Sequence, residues 1–235
     1  MPVKNTDQNK AMDFFAKAVI ELYEKKKVDF YFEFGDGIRE DHNLSRYLRT
    51  KFEELSQTEQ KLISLCSGNI LDVGSATGYY LPFMKEKGSI LGLELSKDLV
   101  KFGNQHFSKD LVCGDFFNYN FTSKFDTITL LENNLGICKT EEGLFKMIEI
   151  FDQILEPTGQ ILIITRKYNR SFSNSYKNIV TLTPYLNGQK GGSFDWITFD
   201  EEYLKDIFLK KGFKVEEIYS EGGDLLLKAS RLITN

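Results

Sequence analysis

Proline, cysteine, histidine and tryptophan are scarce in this 235-residue chain, at 4, 3, 2 and 1 residues. Cys66, Cys113 and Cys138 are odd in number and form no C-x-x-C pair, so no disulfide framework is expected; reduced thiols in a cytoplasmic protein are. No apolar run approaches the ~18 residues that would span a bilayer, and "MPVKNTDQNK" has no apolar signal core, so no membrane role is expected. There is no basic excess either: 30 Lys and Arg stand against 34 Asp and Glu, a net charge of −4. That balance argues against a nucleic-acid partner. Internal repeats and low-complexity linkers are also missing.

Aromatic residues, by contrast, are plentiful, with 20 Phe and 11 Tyr, and the hydrophobic share of 41% supports one domain with a decoration. Residues 9–27 place Met12, Phe15 and Val19 on one helical stripe. "VDFYFEFGDGIRED" reads as a loop or short extended piece, and the stretch from Asn43 to Cys66 returns to helical spacing. Residues 1–67 are therefore expected to form an N-terminal helical cap.

From residue 68 the texture changes. "NILDVG", "SILGLEL", "DLVCGD", "FDTITLL" and "GQILIIT" are short apolar runs, each followed by polar or helical sequence, as buried parallel strands are. At the end, "KVEEIYS" and "GDLLLKASR" are joined by "EGG", a turn that permits only an antiparallel pair. The fold class expected is α/β, a doubly wound, mostly parallel seven-stranded sheet of Rossmann-like type with one antiparallel strand. Residues 68–235 would form this domain, with a hairpin insert at about 170–198.

"LDVGSATG" places a glycine turn between a strand and a helix, where backbone N–H groups face a ligand. A dinucleotide fingerprint starting at Gly74 would need glycines at 76 and 79, but Ala76 and Tyr79 stand there. Asp72 would also repel a pyrophosphate. A ligand carrying ammonium and sulfonium charge and no phosphate suits it better, which describes S-adenosylmethionine. Glu94 lies 20 positions after Gly74, a spacing suited to an acid that accepts both ribose hydroxyls. Asp115, with Phe116 and Phe117, would face the adenine.

The chain thereby resembles the class I S-adenosylmethionine-dependent methyltransferases over roughly residues 68–235. "LDVGSATG" is similar to their D-x-G-x-G-x-G motif, with Ala76 in place of the middle glycine. Glu94 matches the ribose-binding acid and "CGDFF" the adenine-contacting segment. "FDTITLLENNLGI" and "LEPTGQILIIT" are similar to the family's fourth and fifth strand motifs. The resemblance implies S-adenosyl-L-methionine as cofactor, held by Asp72, Gly74, Ser75, Ala76, Gly78, Glu94, Leu95, Ser96, Asp115, Phe116, Phe117, Glu132 and Asn133. Tyr31 joins that set because a phenol packs on the methionine chain and hydrogen-bonds its carboxylate.

Methyl transfer depends mainly on aligning the acceptor and excluding water. "LENNLG" lacks the N-P-P-Y type of tetrapeptide, and "TRKYN" lacks the Asp-Asn of metal-assisted members, so a metal-free site is expected. Glu132, Asn134 and His42 are the candidate catalytic groups, while His106 falls on an outer helix. Phe34, Arg39, Arg166, Tyr168, Tyr185 and Trp196 are the candidate substrate residues. The favoured acceptor is an oxygen or nitrogen of a small molecule, handled by a monomer or homodimer. A protein or RNA acceptor, and a binding module of the same fold without catalysis, are the alternatives.

Overall fold

The computed structural model describes residues 5–167 and 177–232. In chain order the elements are α1 (Asn5–Tyr23), β1 (Phe30–Phe34), β2 (Arg39–Asp41), α2 (Gln57–Leu65), β3 (Gly68–Val73), α3 (Leu81–Lys85), β4 (Gly88–Glu94), α4 (Lys97–His106), β5 (Leu111–Cys113) and β6 (Phe125–Leu130). They continue with α5 (Glu141–Ile154), β7 (Leu155–Arg166), β8 (Lys177–Leu186), β9 (Gln189–Lys190), β10 (Phe194–Phe199), α6 (Glu201–Lys210), β11 (Phe213–Glu221) and β12 (Asp224–Arg231). Short 3-10 turns lie at Leu44–Leu48, Phe52–Glu54 and Asn134–Cys138.

Seven strands form the main sheet in the order β11-β12-β7-β6-β3-β4-β5. Strands β3 to β7 pair in parallel, and β12 runs antiparallel to both neighbours. This is the doubly wound, mostly parallel sheet with one antiparallel strand that the apolar runs predict. Its strands are buried on both faces. Leu71, Val73, Ile128 and Leu130 pack with α5 and α6, while Ile70, Leu162 and Ile164 pack with α2 and the Tyr79–Tyr80 turn. The helices begin where their polar side chains cap free backbone N–H groups: Ser56, Ser96, Thr140 and Asp200 each accept from the third residue on.

The stretch read as a loop or short extended piece, residues 28–41, contains two strands. β1 pairs antiparallel with β2 on one side and with β8 on the other. β10 then pairs with β8, so the N-terminal segment and the insert share a second sheet in the order β10-β8-β1-β2, with β9 also paired to β8. Asn187 and Gly188, both at positive φ (50° and 79°), turn β8 back toward β9, the backbone that hairpin turns of this kind require. Helix α1 covers this sheet by packing Phe15, Ala16 and Val19 in one cluster with Phe30 of β1. The second sheet stands over the carboxyl edge of the first, and that placement creates the site.

Candidate active site

A cavity of about 930 Å³ lies between the carboxyl edge of the main sheet and the second sheet. The strand ends supply its floor: Asp72–Ala76 across the end of β3, Glu94 and Leu95 at the end of β4, Asp115–Phe117 after β5, and Glu132–Asn134 after β6. Phe32, Phe34, Val180, Leu182, Phe194 and Trp196 close it from the second sheet.

Asp72 is 1% exposed. Its Oδ1 accepts from Thr129 Oγ1 at 2.8 Å, whereas Oδ2 has no partner. Burial pushes its pKa up to about 6, against the opposing hydrogen bonds from Ser75 and Thr129. An orphaned carboxylate oxygen beside a cavity is a site built for a cationic ligand. Glu94 is also buried, and burial raises its pKa to about 7 even though Ser96 N (2.8 Å) and Ala76 N (2.9 Å) both donate to it. Asp115 accepts from Phe117 N at 3.1 Å and Asn118 Nδ2 at 2.7 Å.

The glycine turn is locked from below. Gly74 N and Ser75 N donate to Leu93 O at 2.8 and 3.1 Å, and Asn134 Nδ2 donates to the Val73 and Gly74 carbonyls at 2.9 Å each. Gly74 sits at φ +77°, where an added Cβ would stand 2.6 Å from Asn134 Nδ2. Ala76, which replaces a glycine of the motif, takes φ +50°. A non-glycine residue in the left-handed region stores strain, here beside the group that fixes Glu94.

A methyltransferase-domain family matches residues 70–159. Those residues are similar to a methyltransferase domain, and the fold around them is shared with solved S-adenosylmethionine-dependent methyltransferases. The dTDP-3-amino-3,4,6-trideoxy-alpha-D-glucopyranose N,N-dimethyltransferase of Streptomyces venezuelae is 29% identical over 112 residues, 47% of each chain. The chain thus aligns with about half the length of that curated relative. Among solved structures, an S-adenosylmethionine-dependent methyltransferase from Bacteroides fragilis in complex with S-adenosyl-L-homocysteine superposes with a TM-score of 0.83. The two are 21% identical, and 96% of each chain is covered. DesVI of Streptomyces venezuelae superposes with a TM-score of 0.59 at 18% identity, covering 80% of this chain and 94% of that one. These likenesses extend the fold well beyond the matched domain.

Of the residues that the sequence assigns to the cofactor, Asp72, Gly74, Ser75, Ala76, Glu94, Leu95, Asp115, Phe116, Phe117, Glu132 and Asn133 line the cavity. Gly78 and Ser96 do not; Gly78 closes the turn through its N–H to Ser75 O at 2.8 Å, and Ser96 caps α4. Tyr31, Arg39 and Tyr185 need correction. They stand on the other face of the second sheet, where the Tyr31 and Tyr185 rings stack at 4.9 Å and the Arg39 guanidinium lies 3.9 Å from the Tyr31 centroid. The reason is strand alternation: Phe32 and Phe34 point inward, so Tyr31 points out. Phe34, Arg166 and Trp196 do line the cavity; Tyr168 lies outside the described residues.

The candidate catalytic groups separate. Asn134 spends its amide on the glycine turn. His42 donates to or accepts from Tyr47 OH at 2.9 Å, and burial, followed by the charges of Arg46 and Arg166, lowers its pKa to about 4. It is neutral at pH 7. Glu132 sits in a network that sequence reading missed: Arg46 Nη2, Tyr80 OH (3.0 Å) and Tyr79 OH (3.5 Å) all meet its Oε1. Glu59 joins through Tyr80, and Arg49 clamps Glu59 with two hydrogen bonds of 3.1 and 2.7 Å. The one available signal was "SRYLR", whose arginines fall three positions apart, with "GYY" after the glycine turn. No group of three or more His, Cys, Asp or Glu among the described residues has the geometry to hold a metal ion. Among the same residues no helix is long and apolar enough to cross a membrane.

Proposed function

We propose that the protein is an S-adenosylmethionine-dependent methyltransferase acting on an oxygen or nitrogen of a small molecule. The observation that carries this reading is the buried Asp72 carboxylate, whose Oδ2 has no partner beside the cavity. Uncompensated negative charge there rejects phosphate and favours a ligand with cationic groups. Glu94 would take the ribose hydroxyls, Asp115 the adenine amino group, and Phe116 and Phe117 the ring faces. Bound there, the cofactor supplies an electrophilic methyl group on a sulfonium.

The chain's own residues do the rest. Phe32, Phe34 and Trp196 give the cavity an apolar wall opposite the strand ends, which would limit water around a bound sulfonium. Trp196 is seated by Gly136, whose missing Cβ makes room for the indole. At about 930 Å³ the cavity is at the upper end of the ~300–1,000 Å³ usual for small-molecule sites, which leaves space for an acceptor beside the cofactor. The likeness to an aminosugar N,N-dimethyltransferase supports an acceptor of that scale.

Calorimetry with S-adenosylhomocysteine and S-adenosylmethionine tests the reading. The wild type should bind both, and Asp72→Asn should bind S-adenosylmethionine at least about 10-fold more weakly, the loss of a charged partner. A wild type that binds neither nucleoside would overturn the proposal.

A further inference from the structure

Past β6 the chain does something costly. Glu132 (φ +54°) and Asn133 (φ +60°) are consecutive left-handed residues, and neither is glycine. Asn133 is tied down on three sides, through its N–H to Ile164 O (3.0 Å), its Nδ2 to Thr198 Oγ1 (3.2 Å) and its Oδ1 from Thr165 Oγ1 (2.8 Å). Strain held by so many bonds at the rim of a cavity marks a constrained functional group, and the group it presents is the Glu132 carboxyl.

A count of protons around that carboxyl is informative. Tyr80 OH donates to Glu59 Oε1 and also lies 3.0 Å from Glu132 Oε1. A phenol has one proton, so a row of three oxygens, carboxyl–phenol–carboxyl, needs a second. Glu59 is not its holder. Burial alone would raise the Glu59 pKa, but the hydrogen bonds from Arg49 and Tyr80 hold it well below the carboxylate range, with Ser56 N adding a bond at 2.5 Å. Glu132 moves the other way: burial pushes it up, Arg46 opposes, and the neighbouring Glu59 adds to the rise. The charged and titratable groups facing it are Arg46, Arg49 and Tyr47 from the N-terminal segment, Glu59 from α2, and Tyr79 and Tyr80 after the glycine turn.

We propose that Glu132 and Glu59, bridged by the Tyr80 hydroxyl, form a carboxyl dyad with one exchangeable proton, which Glu132 gives up to solvent before the reaction and regains from the methyl acceptor. This rests on the methyltransferase reading above. The acceptor is then a protic nucleophile, with an O–H or N–H. Its lone pair forms the bond to the methyl carbon, and the carbon–sulfur pair returns to sulfur. The broken O–H or N–H leaves its electrons on the acceptor and its proton on ionised Glu132. Glu132 is the catalytic base and Glu59 a positioning residue, held by Arg49 and the α2 capping box.

Infrared difference spectra of wild type against Glu132→Gln test the dyad without an acceptor. The difference should contain a protonated-carboxyl C=O band that belongs to Glu132 and fades as pH rises through neutrality, while the bands of buried Asp72 and Glu94 are common to both proteins and cancel. Tyr80→Phe, which keeps both carboxyls, should move the midpoint of that titration. A difference spectrum with no such band, or with one that does not titrate there, overturns the proposal. S-adenosylhomocysteine binding by the wild type separates the two ideas: a wild type that binds it but yields no titrating Glu132 band fails the dyad and leaves the methyltransferase reading standing. Against a panel of small amines and phenols with methyl-labelled S-adenosylmethionine, Glu132→Gln should lose about 100-fold or more in kcat with little change in KM. Turnover within about threefold of wild type would remove the base role.

Discussion

Along the ends of β3, β4 and β5 the cavity is shaped by backbone: a glycine turn, a strand-end acid fixed by two amide N–H groups, and a helix cap. Across from it, at the end of β6, the wall is made of side chains that meet from four separate segments: Arg46 and Arg49, Glu59, Tyr79 and Tyr80, and Glu132. The first half follows from local sequence, and its geometry survives most side-chain changes nearby. The second half exists only once the N-terminal segment is docked, and each of its members depends on the others. A cofactor common to many enzymes suits the first construction, and an acceptor particular to one enzyme suits the second.

Gly74→Ala would break the backbone half most severely. The new Cβ meets Asn134 Nδ2 and Ile137 while φ stays at +77°. Left-handed strain plus overpacking should cost about 4 kcal/mol in stability, read by urea denaturation. Asn134→Ala in the same background should recover part of that loss, because it removes the nearer clash and leaves Ile137 and the strain.

Asp72→Asn should set stability and binding in opposition. The folded pKa of Asp72, about 6, lies above its ordinary 3.8, so folding takes up a proton. The stability it contributes is complete below 3.8 and is lost as pH rises through about 6. The loss amounts to about 3 kcal/mol. Asp72→Asn should therefore flatten the fall in stability between these pH values and raise the melting temperature at neutral pH. Wild-type affinity for S-adenosylmethionine should move the other way, strengthening as Asp72 ionises. A variant that is less stable than wild type at pH 7 would show that Oδ2 has a partner in solution.

Glu94→Gln is a gentler probe of the same half than truncation to alanine, which would orphan the N–H groups of Ala76 and Ser96. One amide oxygen keeps one of those bonds. Affinity for S-adenosylhomocysteine should fall by about 2 kcal/mol, the worth of a charged acceptor, measured by calorimetry with folding monitored alongside.

The contrast between the halves also explains what the sequence made legible. Asp72, Glu94 and Asp115 could be placed at one edge because each ends an apolar run, and parallel strands carry their ends to the same side. Glu132 was reachable in the same way, as the residue after β6, but its partners were not. Nothing in "SRYLRTKFEEL" says that Arg46 will cross 86 positions to Glu132, because that pairing depends on how the segment docks. Residues 28–41 misled for a different reason. Acidic and glycine residues around "FYFEF" conceal a strand whose pairing partners, β2 and β8, lie on either side and one of them 152 positions away in the Glu33–Tyr185 contact. Without the strand there is no alternation, and without alternation no way to know which aromatics face in.

That last point yields the smallest expected effect and the sharpest test of the second sheet. Tyr31 carries the hydroxyl that would have suited the cofactor, yet its ring is stacked on Tyr185 beneath Arg39, outside the cavity. Phe32, its neighbour in sequence, lines the cavity and packs edge-on against His42 at 5.2 Å and Phe194 at 6.1 Å. Tyr31→Leu should leave S-adenosylhomocysteine affinity within about twofold of wild type and cost at most about 1 kcal/mol in stability, the worth of one half-buried cross-strand aromatic pair. Phe32→Ala should cost several times more in stability, because it empties a filled inner position. Equal effects at the two positions would mean that β1 is paired one residue out of register, which would turn Tyr31 inward and Phe32 out.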